Sequence, residues 1–222
     1  ARLAAEYNRP RLAQAAVEIV APAVADQVPQ VIAQPARFLD ARVAAPSRAR
    51  RELVALALAR LAATDLEGAI TRLDRKWSVH LDPEERAWLW GAIGRQAAQK
   101  LSPDALAHFE RAGARAELTD EMLAWKARAA LRAGTTPRWK TVREAVEAMS
   151  PAAQQDSAWV YWRARALMAS DAEADRTEGR RLLTGLASVR GFYEQLALED
   201  LGQRITLPAR PAPPTAEERE AR

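Results

Sequence analysis

Trp125-Lys126-Ala127-Arg128-Ala129-Ala130-Leu131 returns as Trp162-Arg163-Ala164-Arg165-Ala166-Leu167, 37 residues further along the chain. A weaker copy, Trp90-Gly91-Ala92-Ile93, precedes the first by 35 residues. Each copy is followed by a turn and a second stretch whose apolar residues fall at helical spacing: Leu106 and Phe109, then Val142 and Val146, then Leu182, Leu183 and Leu186. This is one helix-turn-helix unit, repeated. Small Ala positions in the first helix let the second pack closely, while a single unit leaves an apolar face bare, so neighbours must stack. The predicted fold is all-α: a right-handed α-superhelix, or solenoid, of stacked antiparallel helix pairs. Its period of about 35 residues is near that of tetratricopeptide repeats.

Helix punctuation is dense on either side of the repeat. Ser47, after Pro46, is a predicted N-cap for the run holding Leu53, Leu56, Ala57 and Leu61. Asp65 restarts a helix toward Trp77. Asp82-Pro83-Glu84-Glu85 combines a cap, a first-turn proline and acidic first-turn residues. Ser102-Pro103-Asp104, Thr119-Asp120-Glu121, Thr136-Pro137 and Ser150-Pro151 open further helices, the last predicted to run unbroken to about Ser170. Residues 177–189 and 192–201 read as two more. The repeat domain therefore spans 46–205. Residues 1–45, broken by Pro22, Pro29 and Pro35, read as short helical pieces continuing the superhelix, with helices over 11–20 and around 35–42. Residues 206–222 read as a Pro-rich linker followed by the first turn of another helical domain, Thr215-Ala216-Glu217-Glu218-Arg219, and so as a cut in a longer protein.

Composition narrows the function classes. A chain of 222 residues can bury a core without disulfides or a structural metal. Hydrophobic residues make up 49%, and 51 of them are Ala, which suits thin helical layers. The net charge of +4 is small, and its signs alternate along the helices instead of clustering, which argues against nucleic acid as a partner. No apolar run approaches the ~20 residues of a membrane-spanning helix. Cys is absent, so thiol catalysis, Cys-ligated zinc and disulfides are excluded. His80 and His108 fall on different elements, and no phosphate-binding or dinucleotide-binding glycine motif occurs, so neither a metal nor a cofactor is expected. Gly91 and Gly94 lie within a helical pattern, where close helix packing accounts for them. Glu84-Glu85 and Glu199-Asp200 sit at helix starts or on charged faces, whereas a working glycosidase acid needs a desolvating cleft; no catalytic residue is predicted.

Seven residues stand out as candidates for glycan contact or repeat packing: Trp125, Arg128, Trp159, Tyr161, Trp162, Arg165 and Tyr193. Trp159 and Trp162 share a helix face while Tyr161 points elsewhere. These rings either fill the gaps between thin Ala-rich helices, the reading favoured by the area each indole buries, or form a sugar platform on the concave face. Arg128 and Arg165 hold matching repeat positions. Each either buries its stem and bonds helix carboxyl ends or meets an anionic polymer. Tyr193 opens the last helix, where it caps the final repeat or touches a substrate.

Several of these strings carry a resemblance when taken in order. They are Arg51 to Arg60 with Leu61-Ala62-Ala63-Thr64-Asp65, Leu89-Trp90, the Trp125 string, Trp139, Met149, Trp159-Val160-Tyr161 running into the Trp162 string, and Phe192-Tyr193-Glu194-Gln195-Leu196-Ala197 before Leu201-Gly202. Over roughly residues 45 to 208 the chain resembles the superhelical domain of soluble lytic murein transglycosylases. The resemblance implies a ring- or U-shaped domain joined through a linker domain to a lysozyme-like domain. There a Glu within a Glu-Ser motif cleaves the MurNAc-GlcNAc bond of peptidoglycan and leaves a 1,6-anhydro sugar. No Glu in this chain is followed by Ser. The resemblance therefore implies a non-catalytic segment of a periplasmic enzyme, with glycan strands and the linker and catalytic domains as its partners. The alternative is a tetratricopeptide-like scaffold holding a protein or peptide in a concave groove.

Overall fold

The structure, a computed structural model, describes residues 1–41, 47–113 and 116–205. Pro46 and the predicted linker and helix start at 206–222 lie outside the described residues. Among those described there are helices, turns and no strand. The chain divides into two compact units, one ending at Ser150 and the other beginning at Pro151.

The first unit opens with α1 (Arg2–Glu6), which no sequence signal marked, then α2 (Pro10–Val20), a 3₁₀ turn (Pro22–Gln27), α3 (Val28–Ala33) and α4 (Pro35–Asp40). Pro10, Pro22, Pro29 and Pro35 each stand in the first turn of an element, where their missing N–H costs nothing. These prolines divide the stretch without unfolding it. The next helix, α5 (Arg48–Thr64), starts at Ser47, whose hydroxyl accepts the Arg50 N–H at 3.3 Å. Every residue from Leu53 to Ala59 is buried, so α5 is enclosed on all sides and the shorter N-terminal helices α1, α3 and α4 pack onto it.

Beyond α5, α6 (Leu66–Arg72) runs into a π-helical turn (Leu73–Trp77). That turn delivers the Trp77 indole N–H to the Leu39 carbonyl at 3.1 Å. The remaining elements of this unit are α7 (Pro83–Gln99), α8 (Ala105–Ala112), α9 (Asp120–Leu131) and α10 (Trp139–Glu147). The second unit holds α11 (Pro151–Gln154), α12 (Ser157–Met168), α13 (Glu173–Leu186) and α14 (Phe192–Asp200).

Several predicted helices depart from their expected bounds; the one read from Thr136-Pro137 begins at Trp139, with no side-chain cap. The long helix from Ser150 to about Ser170 is broken into α11 and α12, because Asp156 turns back to accept the Ala158 N–H at 2.9 Å and caps a new helix. The helix expected from Thr177 begins at Glu173, since the polar turn before it is organised. Ser170 Oγ accepts from Ala172 N at 3.2 Å and donates to Asp175 at 2.7 Å, and Arg176 donates to the Ser170 and Asp171 carbonyls at 3.1 and 2.9 Å.

The pairs foreseen in the repeat are present: α7 packs on α8, α9 on α10 and α12 on α13. Glycine sets how closely two of them approach. A Cβ on Gly94 of α7 would stand 2.8–3.0 Å from the Phe109 ring of α8, and one on Gly179 of α13 would stand 2.9 Å from the Ala164 carbonyl of α12 and from Met168 Cγ. In an unobstructed helix, Gly→Ala is favourable by about 0.5–1 kcal/mol. Gly185, also in α13, has nothing within 4 Å of such a Cβ. Gly185→Ala should therefore raise stability by about that amount, whereas Gly179→Ala should lower it by about 1–3 kcal/mol. Urea unfolding of the two variants checks this; equal stabilisation by both would show that α12 and α13 are free to separate.

Candidate functional site

Caps set the register of the repeats. Asp82 accepts the Glu85 N–H at 2.8 Å, Thr119 the Met122 N–H at 3.3 Å and Asp156 the Ala158 N–H at 2.9 Å, each cap 37 residues after the last. Counting from them, the repeat position of Trp125 and Trp162 is held in the earlier pair by Trp88, not by Trp90 as the string Trp90-Gly91-Ala92 suggested. All three of these tryptophans are half-buried. Trp90 instead is buried, its ring stacked on His108 at 5.9 Å with the Arg111 guanidinium 3.5 Å above the ring centre.

In the first unit each repeat tryptophan carries an arginine. The Arg128 guanidinium lies 5.0 Å from the Trp125 ring centre, one helical turn along α9, and Arg128 is exposed. Arg2 lies 5.0 Å from the Trp88 ring centre and is fixed there by two bonds to Glu52, at 2.8 and 3.2 Å. Trp88 and Arg2 border a groove of about 960 Å³ that also takes in Arg51 and Glu85. Arg51 is paired with Glu85 at 3.0 Å, so the charges of this wall largely satisfy one another.

In the second unit Tyr161 is the centre of an aromatic cluster. Its ring stands 5.1 Å from Trp162 and 5.6 Å from Tyr193, which in turn meets Phe192 edge-on at 5.1 Å. Trp159 and Tyr161 are buried, Trp162 and Tyr193 half-buried, and Phe192 is 69% exposed. Arg165 donates to the Tyr161 hydroxyl at 2.9 Å and pairs with Asp200 at 3.1 Å. It thus joins α12 to α14. Burial pushes the Tyr161 hydroxyl pKa above its ordinary value despite the adjacent guanidinium.

A second polar centre escaped the sequence reading. Arg95, in the buried run of α7, is 1% exposed and pairs with buried Glu6 of α1; it also donates to Glu121 of α9 at 2.6 Å and to the Tyr7 hydroxyl at 3.1 Å. Gln96 donates to Glu6 at 2.6 Å. The available signal was Arg95-Gln96 standing between Ile93 and Ala97 on a helix otherwise apolar there, but the partners are distant in sequence. The two histidines stand apart: His80 edge-on to Trp77, His108 on Trp90. Among the described residues no group of three His, Cys, Asp or Glu is placed to hold a metal.

Comparison with known proteins follows this geometry. No protein-family model and no curated protein sequence matches the chain. Solved structures do. An inactive variant of the lytic transglycosylase Slt from Pseudomonas aeruginosa is similar over 91% of this chain and 33% of its own, with 26% identity and a TM-score of 0.61. The 70 kDa soluble lytic transglycosylase SLT70 from Escherichia coli is similar over 96% of this chain and 34% of its own, with 20% identity and a TM-score of 0.63. The 70-kDa enzyme in complex with bulgecin A matches at 20% identity and a TM-score of 0.61. The chain thus spans about a third of the length of these relatives and has the all-α superhelical fold of that part of them. The soluble lytic transglycosylase resemblance read from the sequence is met in the structure.

Two outcomes follow for the polar groups. Arg95→Met strands Glu6 without its counter-charge and should cost about 3–5 kcal/mol, while Arg95→Met with Glu6→Leu should regain most of it; an equal loss in both would show that the charge pair is not what matters. Burial holds the His108 pKa below its ordinary value of 6.5. The unfolded chain then binds the extra proton first, so His108-linked stability is full above that pH and declines as pH falls through it toward the lower folded value. An NMR titration giving a folded pKa at or above the ordinary value would contradict this.

Proposed function

We propose that this chain is a non-catalytic superhelical scaffold segment of a periplasmic peptidoglycan lytic transglycosylase, a parent that cleaves MurNAc-GlcNAc bonds with 1,6-anhydro-MurNAc formation in cell-wall turnover. The observation that carries the reading is the likeness to Slt over 91% of the chain. In this reading the scaffold places glycan strands before a catalytic domain that carries the Glu-Ser motif this sequence lacks. Its contacts in this reading are half-buried rings: Trp125 with Arg128 in the first unit, and Trp162 and Tyr193, both packed on Tyr161, in the second. A tryptophan that keeps one edge in solvent can stack on the apolar face of a sugar, and a guanidinium beside it suits the carboxylates of a peptide-bearing glycan. Trp159 and Tyr161, being buried, serve packing.

A protein-binding scaffold is the second reading, and one observation favours it. Leu12 and Ile19, 63% and 84% exposed, share one face of α2, and Val20 beside Ile19 is 71% exposed.

Co-sedimentation with purified peptidoglycan sacculi tests the first reading. Binding should be measurable at low salt and fall as ionic strength rises, because exposed charges are screened. Trp125→Ala and Arg128→Glu should each weaken binding about two- to fivefold, the equivalent of ~0.5–1 kcal/mol. Absence of binding at any salt concentration, with a folded protein, would remove glycan contact from the function of this segment and favour the second reading.

A further inference from the structure

A small cup on the first unit, remote in sequence from the tryptophan positions, has a chemistry of its own. It measures about 290 Å³ and is bounded by Gln27, Gln30 and Gln34, by Arg37 and Phe38 of α4, and by Arg50 of α5, over a floor of buried Val31. Its size is at the lower end for ligand sites, that of a single sugar ring rather than a polymer.

The hydrogen bonds inside the cup determine what it can offer. Arg50 Nη1 donates to Gln27 Oε1 at 3.3 Å, and Arg37 Nη1 donates to Gln34 Oε1 at 3.1 Å. A guanidinium has no acceptor, so each of these carboxamides must turn its oxygen to the arginine and its NH₂ away from it. The orientation of both amides is thus forced by chemistry. The Arg50 guanidinium is held 4.5 Å over the Phe38 ring, and its Nε is buried without a hydrogen-bond partner. No carboxylate lines the cup among the described residues. The result is a wall of amide and guanidinium donors with two positive charges and few acceptors; Gln30 adds one group able both to donate and to accept.

We propose that this cup binds a monosaccharide-sized carboxylate, with the Arg37 and Arg50 guanidiniums taking the carboxylate and the glutamine amides taking ring hydroxyls. An oxyanion is the complement of such a donor-rich, doubly positive surface. A planar carboxylate matches a guanidinium fork, and hydroxyls match the amides, whereas inorganic phosphate uses only the cationic part. The proposal stands apart from the scaffold reading, since it rests on residues that reading does not use.

The test is an NMR titration of the 222-residue chain that follows the Arg50 Nε–H resonance, identified by its loss in Arg50→Lys. Three probes are used: glucuronate, glucose and inorganic phosphate. Glucuronate should shift the resonance saturably, glucose should leave it in place, and phosphate should act at least about threefold more weakly for want of the hydroxyl contacts. Arg37→Gln and Gln27→Leu should each weaken glucuronate binding, the former by about tenfold, with melting temperatures checked to show that the fold is kept. No shift with glucuronate, an equal shift with glucose, or undiminished binding in Arg37→Gln would overturn the proposal. Phosphate binding as tight as glucuronate would overturn the carboxylate assignment and leave a site for inorganic oxyanions. Sacculus binding, measured separately and dependent on Trp125 and Arg128, tells failure here from failure of the scaffold reading.

Discussion

Small residues at chosen contact positions let the helix pairs of this protein approach closely, and much of the structure follows from that constraint. Phe109 rests against bare Gly94 backbone, and the Ala164 carbonyl lies against Gly179. Ala fills most other contact positions: Ala97, Ala98, Ala127 and Ala130 are all fully or almost fully buried. Small residues forgo the large area that Leu or Phe would bury. They gain many short dispersion contacts between backbones and a low side-chain entropy cost on ordering. Such an interface tolerates little added volume, which is why its glycines are not interchangeable with alanine even inside a helix.

Thin layers leave little room for large side chains, and the protein places these in two ways. Some become posts: Trp77, Phe109 and the leucines of α5 are fully or almost fully buried, and α5 is enclosed on every face. Others sit at the rim, as Trp88, Trp125 and Trp162 do at one repeat position, half in solvent and each beside an arginine or another ring. The buried Arg95 belongs with the posts. It gathers Glu6, Tyr7 and Glu121 from two other helices and so ties the N-terminal α1 to the first two helix pairs. A charge centre of this kind contributes less net stability than an apolar core of the same volume, but it specifies which helix docks where.

Much of the fold was legible because helix starts are local chemistry. Ser47, Asp65, Asp82 and Thr119 all cap as read, since a side-chain oxygen and an N–H two or three residues on need only each other. Ser150-Pro151 misled because its signal was real but short-lived: a second cap at Asp156 lay within the helix it opened. Residues 1–45 read as short helical pieces because proline positions are unambiguous; α1 has no proline or capping side chain and no local signal marks it. The candidate site was harder. Composition and spacing singled out aromatic and arginine positions, yet they could not separate the buried Trp159 from the half-buried Trp162 three residues later, since both point to one face of α12.

By itself, then, the sequence determined the all-helical class, the recurring helix pair and its small-residue interface, because each depends on residues within one or two turns of one another. Only the tertiary structure decided that Arg95 is a buried charge centre and that Gln27, Gln34, Arg37 and Arg50 enclose a common cup. These depend on where separate helices meet. The meeting of Arg95 with Glu6, 89 positions away, is set by how closely the helices between them pack, and no local pattern in the chain encodes it.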